Sequence, residues 1–126
     1  MGIAQEPTQT TGIIRGGVAA RLSQFSGAGN LVFLAGQVPD LPKSAGCGAQ
    51  AAQVLQKMDR LLAEAGSDKS RLLHVTVYLA DLSDFAEFNQ VWDGWVVPGQ
   101  TPPRACVEAR LANPEWLVEV VAIGAR

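Results

Sequence analysis

The chain is short of charge, cysteine, histidine and long apolar runs, and each shortage removes a class of function. Only 17% of its 126 residues are Asp, Glu, Lys or Arg, and the net charge is −2. The ten Lys and Arg are scattered along the chain, so the basic stripe of a nucleic-acid binder is missing. One histidine, His74, and two cysteines, Cys47 and Cys106, form no cluster with metal-ligand spacing. No apolar run approaches the ~20 residues that span a bilayer. The segment Met1 to Pro7 lacks the basic-then-apolar pattern of a secretory leader. Glu6 stands where a myristoylation signal wants Ser or Thr. The expectation is a cytoplasmic protein whose two cysteines are free thiols. Its glycines fall into no phosphate-loop arrangement.

What remains is largely apolar. With 48% hydrophobic residues, the chain is long enough for one domain around a single core. That domain is expected over residues 17–126, after a flexible or edge-bound segment, 1–16. Val18 to Phe25 and Leu31 to Gly36 read as strands flanking the glycine-rich turn Ser26-Gly27-Ala28-Gly29-Asn30. Pro39 and Pro42 make the following stretch irregular. Leu55, Met58, Leu62 and Ala65 form the stripe of a helix from about Cys47 to Ala65, stopped at Gly66.

Leu72 to Ala80 alternates, with Leu73, Val75, Val77 and Leu79 on one face and His74, Thr76 and Tyr78 on the other. Ser83 is placed to cap a second helix, whose aromatic face is Phe85, Phe88, Trp92 and Trp95. Arg104 to Leu111 and Trp116 to Ile123 read as a closing hairpin around Ala112-Asn113-Pro114-Glu115. The order β-β-α-β-α-β-β gives an α+β sandwich, two helices on one face of a mixed sheet. The other face would be bare in a monomer and invites oligomerisation.

Arg104 follows Pro102-Pro103 and opens a strand, and its planar fork suits a carboxylate or a phosphate. Taken alone, it serves equally well as a structural ion-pair partner. Parity in the expected hairpin puts Arg104, Cys106, Glu108 and Arg110 on the face turned away from the helices. Ala105, Val107, Ala109 and Leu111 then meet them. Symmetric closure sets Glu108 opposite Glu119, where repulsion would raise one pKa. Arg104 and Glu119 fall roughly 13 Å apart by strand rise, so a site using both would be shared across a subunit boundary. Cys106 reads as a small buried hydrophobe, because no dyad spacing with His74 is visible.

Ala35-Gly36-Gln37-Val38-Pro39, then Val77-Tyr78-Leu79-Ala80-Asp81-Leu82-Ser83-Asp84-Phe85 with Asn89, then Pro103-Arg104-Ala105-Cys106-Val107-Glu108 and Val118-Glu119-Val120 make a specific combination. Over about residues 18 to 125 the chain resembles the RidA/YjgF family, the reactive intermediate deaminases. The resemblance implies a chorismate-mutase-like fold, a homotrimer and clefts between neighbouring subunits. It also implies hydrolysis of 2-imino acids or enamines to 2-keto acids and ammonia, without metal or organic cofactor. By position, Arg104 matches the arginine that clamps the substrate carboxylate, and Cys106 the cysteine whose backbone lines the cleft. Glu119 matches the glutamate that orients water, and Gly36 lies in the backbone stretch lining the pocket. Leu22 stands where the best-known members carry tyrosine, and Ala35 where they carry serine. Those two replacements favour an alternative, a non-catalytic member binding small carboxylates. Some relatives are labelled endoribonucleases or translation inhibitors, and the acidic balance here opposes that third reading.

Overall fold

The computed structural model describes residues 12–126, so the readings made on Met1 to Pro7 fall outside the described residues. Six strands form one sheet: β1 (Ile13–Gly16), β2 (Phe25–Ala28), β3 (Leu31–Gln37), β4 (Leu72–Leu79), β5 (Arg104–Glu108) and β6 (Val118–Ala125). Two helices, α1 (Cys47–Glu64) and α2 (Phe85–Trp95), cover one face. The strand order is β1-β2-β3-β6-β4-β5, antiparallel throughout except for the β4–β5 pair. That parallel pair needs a crossover, and α2 supplies it.

The core follows from the alternation. Val32 and Leu34 of β3, Val75, Val77 and Leu79 of β4, and Val118, Val120 and Ala122 of β6 are buried on the helix side. They meet Ala51, Val54, Leu55, Met58 and Leu62 of α1 and Phe88 and Trp92 of α2. The N-cap of α1 is Gly46, which has no side chain to offer, and Glu87 of α2 accepts from Gly48 N at 2.7 Å instead. A carboxylate there also suits the positive end of the helix dipole.

The expected closing hairpin does not form. β6 lies between β3 and β4, while β5 takes the edge beyond β4. The pattern explains why: alternate residues of β6 are fully buried and apolar, and such a strand needs neighbours on both sides. β5 carries charge and is preceded by two prolines, which suits an edge. The parity argument is reversed as well. Arg104, Cys106 and Glu108 register with Val75, Val77 and Leu79 and share their helix side. Ala105 and Val107 face outward, Val107 at 42% exposure. Glu108 does not oppose Glu119. It accepts from Leu82 N at 3.0 Å, and Glu119 registers with Tyr78.

Five smaller expectations are corrected. Residues 18–24, expected as strand, are irregular and help join β1 to β2, and the strand begins at Phe25. The β2–β3 turn is only Gly29-Asn30, with Gly29 at φ 59° as a two-residue hairpin requires. In β4 the register shifts between Leu72 and His74, so Leu73 is a bulge residue left exposed rather than a core residue. Ser83 does not cap α2; its backbone N–H donates to Asp81, which closes a 3-10 turn over Leu82–Asp84 before the helix starts. Phe85, expected on the aromatic packing face, is exposed, while Phe88 and Trp92 are buried.

One polar side chain sits at the heart of this packing. Gln50 of α1 is fully buried. Its Nε2 donates to Leu41 O at 3.1 Å and Glu115 O at 2.8 Å, and its Oε1 accepts from Leu117 N at 2.7 Å. It therefore ties the loop after β3 to the loop before β6. Gln50→Leu strips a partner from one backbone N–H and two carbonyls, an expected loss of about 2–4 kcal/mol. In urea titration this should lower the midpoint at unchanged slope.

Candidate functional site

The bulge between Leu34 and Gln37 turns the end of β3 against β6. There Gly36 meets Glu119 so closely that a Cβ at position 36 would run into Glu119 Oε2. A side chain at position 36 would displace the carboxylate from where it crosses the backbone. The result is a cleft of about 370 Å³ that brings together Leu22, Ala35, Gly36 and Glu119. Four of the six residues singled out in the sequence share this one cavity. Burial pushes the Glu119 carboxyl above its ordinary range, since little water is left to solvate the anion.

Arg104 and Cys106 lie elsewhere. Arg104 and Glu119 belong to opposite faces of the sheet, three residues along and two strands across, about 14 Å between backbones at standard strand spacing. The guanidinium carbon of Arg104 stands 5.1 Å from the ring centroid of Trp92, 5.8 Å from that of Phe88 and 5.9 Å from that of Phe85. Cation–π attraction holds it there. Its Nη1 is buried and has no hydrogen-bond partner; among the described residues only Asn89 Oδ1 of α2 shares that condition. The ion pairs among the described residues are Lys57–Asp40 and Arg60–Glu64, so Arg104 makes no structural ion pair with any described residue. A desolvated donor of fixed charge is thus left without a hydrogen-bond partner among the described residues.

The thiols are poor nucleophiles. Burial, with Asp84 and Glu87 nearby, pushes Cys47 up to about 12. Burial also raises Cys106, and the positive charge of Arg104 only partly opposes it. Both cysteines are free and behave as small hydrophobes. Among the described residues no group of three or more His, Cys, Asp and Glu side chains is arranged to hold a metal ion.

Sequence reasoning missed several residues that line the Glu119 cleft: Gln24, Gln37, Lys57 and Trp116. Gln24 and Gln37 stand inside or beside the motifs and carry a readable cue, a polar residue among apolar neighbours. Lys57 and Trp116 carry none, because long-range packing of α1 and of the loop before β6 delivers them. Asn89 belongs to a motif but had no role until its oxygen proved buried beside the same aromatic helix as Arg104.

A family model described as Endoribonuclease L-PSP matches residues 15–126. A RutC family protein of Haemophilus ducreyi is 46% identical over 113 residues, 90% of this chain and 96% of that protein. The RutC family protein YoaB of Escherichia coli is 38% identical over 113 residues, again 90% of this chain and 97% of its own. The crystal structure of a YjgF family member from Neisseria meningitidis superimposes with a TM-score of 0.86 at 49% identity, covering 90% of this chain and 94% of that one. Fold, motifs and relatives agree, and the chain belongs to the RidA/YjgF family.

Proposed function

We propose that this is a cytoplasmic hydrolase that converts 2-imino acids or their enamines to 2-keto acids and ammonia. The sites are clefts between copies of a homotrimer, and no cofactor takes part. Arg104 of one copy holds the substrate carboxylate, the backbone at Cys106 lines the same wall, and Glu119 of the next copy orients water. The observation that carries this reading is the buried, unspent Nη1 of Arg104, which asks for an anion that none of the described residues supplies.

The chemistry asked of the residues is modest. Water adds to the C=N carbon, and the π electron pair passes to nitrogen. Glu119 takes one proton from water and gives it to the imine nitrogen, forming the carbinolamine. It then carries the second proton from the carbinolamine hydroxyl to nitrogen as the C–N bond breaks, leaving a carbonyl and ammonia. A positioned carboxylate base contributes typically ~10²–10⁴-fold. The arginine fork fixes the direction of attack. Assembly is supported by the outer sheet face, where Leu31, Phe33 and Val107 are each more than a third exposed and offer apolar area to another copy. The separation of Arg104 and Glu119 on opposite faces supports a shared cleft.

A second reading, a non-catalytic binder of small carboxylates, is favoured by Leu22 and Ala35, which leave the cleft wall without hydroxyls. The family description names an endoribonuclease, but a net charge of −2 opposes RNA affinity. No helix among the described residues is long and apolar enough to cross a membrane.

Imines generated by an amino-acid oxidase and trapped with semicarbazide test the reading directly. Wild type should compete with trapping and Arg104→Ala should not; equal behaviour of both with buffer across several imines would leave the binding reading. The pH profile is a second check. Because the Glu119 pKa is raised, kcat should fall as the pH drops through a value above the ordinary carboxylate range, and Glu119→Gln should lose that limb. Stability should run the opposite way, decreasing as the pH rises from the ordinary carboxylate pKa through the raised one, since the folded state binds the proton more tightly. Finally, co-refolding Arg104→Ala with Glu119→Gln should restore activity at about a quarter of the sites of a randomly mixed ring. No recovery would mean that each copy uses its own two residues.

A further inference from the structure

Tyr78 registers with Glu119 and borders the adjoining cavity, but none of the side chains lining the Glu119 cleft itself carries a hydroxyl. The question is therefore which group meets the oxygen of the reacting water opposite the carboxylate. The hydrogen bonds already made by Lys57 and by the two lining amides narrow it. Lys57 has two of its three donors engaged: its Nζ donates to Val38 O at 2.7 Å and pairs with Asp40 at 3.0 Å. Gln37 is buried, and its Nε2 donates both to Ala35 O and to Gln24 Oε1, each at 3.0 Å. These two bonds fix the amides. Gln37 must turn its nitrogen toward the Ala35 carbonyl, so Gln24 must present its oxygen to Gln37. The Gln24 Nε2 is thereby turned away with no partner among the described residues.

The rest of Gln24 is held as firmly. Its N–H donates to Gly16 O at 2.9 Å and its carbonyl accepts from Ala35 N at 2.8 Å, so the backbone is bonded on both sides. Its stem lies across Gly17, where a Cβ would come within 2.6 Å of Gln24 Cγ. Gly17 also has φ 59°, so the position suits glycine on both counts. This is a preorganised donor in the same cleft as a carboxylate acceptor.

We propose that Gln24 is a further catalytic residue of this site, its Nε2 donating to the oxygen of the water that Glu119 activates. This rests on the deaminase reading above. A water molecule that gives one proton to Glu119 and receives one hydrogen bond from Gln24 keeps a single lone pair free, aimed by the two side chains. After attack the same N–H faces the new carbinolamine oxygen. The amide gains and loses no proton in the cycle, so the balance of atoms is that already given. The Gln24–Gln37 pair thus supplies, through an amide, the polar contact that Leu22 and Ala35 do not.

Two substitutions separate this role from a structural one. Gln24→Leu should lower kcat about 10- to 100-fold, by analogy with losing one preorganised donor, with KM within about twofold of wild type. Gln24→Glu keeps the shape and still accepts from Gln37, but it puts a second carboxylate beside Glu119. Carbon-13 NMR of the Glu119 carboxyl should then show its pKa rising by about one or more. Lys57 and Arg110, the other charged side chains lining the cavities beside Glu119, are unchanged in both variants. An unshifted Glu119 titration in Gln24→Glu, or an unchanged kcat in Gln24→Leu, would overturn the proposal while leaving deaminase activity intact. A wild type inactive on every imine would sink the deaminase reading and the catalytic role with it. The Glu119 titration would still report whether the two side chains face each other.

Discussion

Strand β6 buries an apolar side chain at every second position and needs a bonded neighbour on each edge, and the molecule is arranged around that demand. It must enter between β3 and β4, although β5 precedes it in the chain. β5 is displaced to the far edge and runs parallel to β4, and α2 becomes the crossover that covers it. The two ends of the candidate chemistry follow from the same event. Glu119 rides on the outward side of β6 against the bent end of β3, while Arg104 is carried to the margin under the aromatic face of α2.

Within that frame two close approaches do the local shaping. Gly36 lets the Glu119 carboxylate cross the backbone, and partial burial in the cleft raises that carboxyl's pKa. Gln50 holds together the loops that follow β3 and precede β6, which are the two sides of the same cleft. A buried amide is well suited to this task, since it satisfies two carbonyls and one N–H without placing a charge in the core. The electrostatics of the site therefore depend on polar groups that never touch a ligand.

Much of this was legible in the residues. The helical stripe of Leu55, Met58 and Leu62 gave α1, and the β-branched alternation of Val75 and Val77 gave β4. Leu22, Ala35, Gly36 and Glu119, far apart in the chain, converge on one cleft. What could not be read was partner choice among strands. A short loop between two β-patterned runs looks like a hairpin locally, and only the competition for the centre of the sheet decides otherwise. The face of Arg104 was inverted for a separate reason: the apolar set with Ala105 and Val107 reads as the core side. Side-chain direction in a strand has a period of two, so one wrong choice of side moves every residue. Leu73 shows the same sensitivity on a smaller scale, one bulge residue exchanging its expected burial for solvent. Lys57 and Trp116 lay beyond sequence reasoning altogether, since neither has a neighbour in the chain that announces the cleft.

The placement of Arg104 and Glu119 on opposite sides of one sheet has a consequence for how such a protein responds to dilution. On the reading proposed here, a separated chain holds half of two sites and the whole of none. Output would then follow the association equilibrium as well as the number of chains, so specific activity would rise with concentration until the ring is saturated. Expression level becomes a control in its own right, steeper than proportional at the low end, with no effector and no modification required.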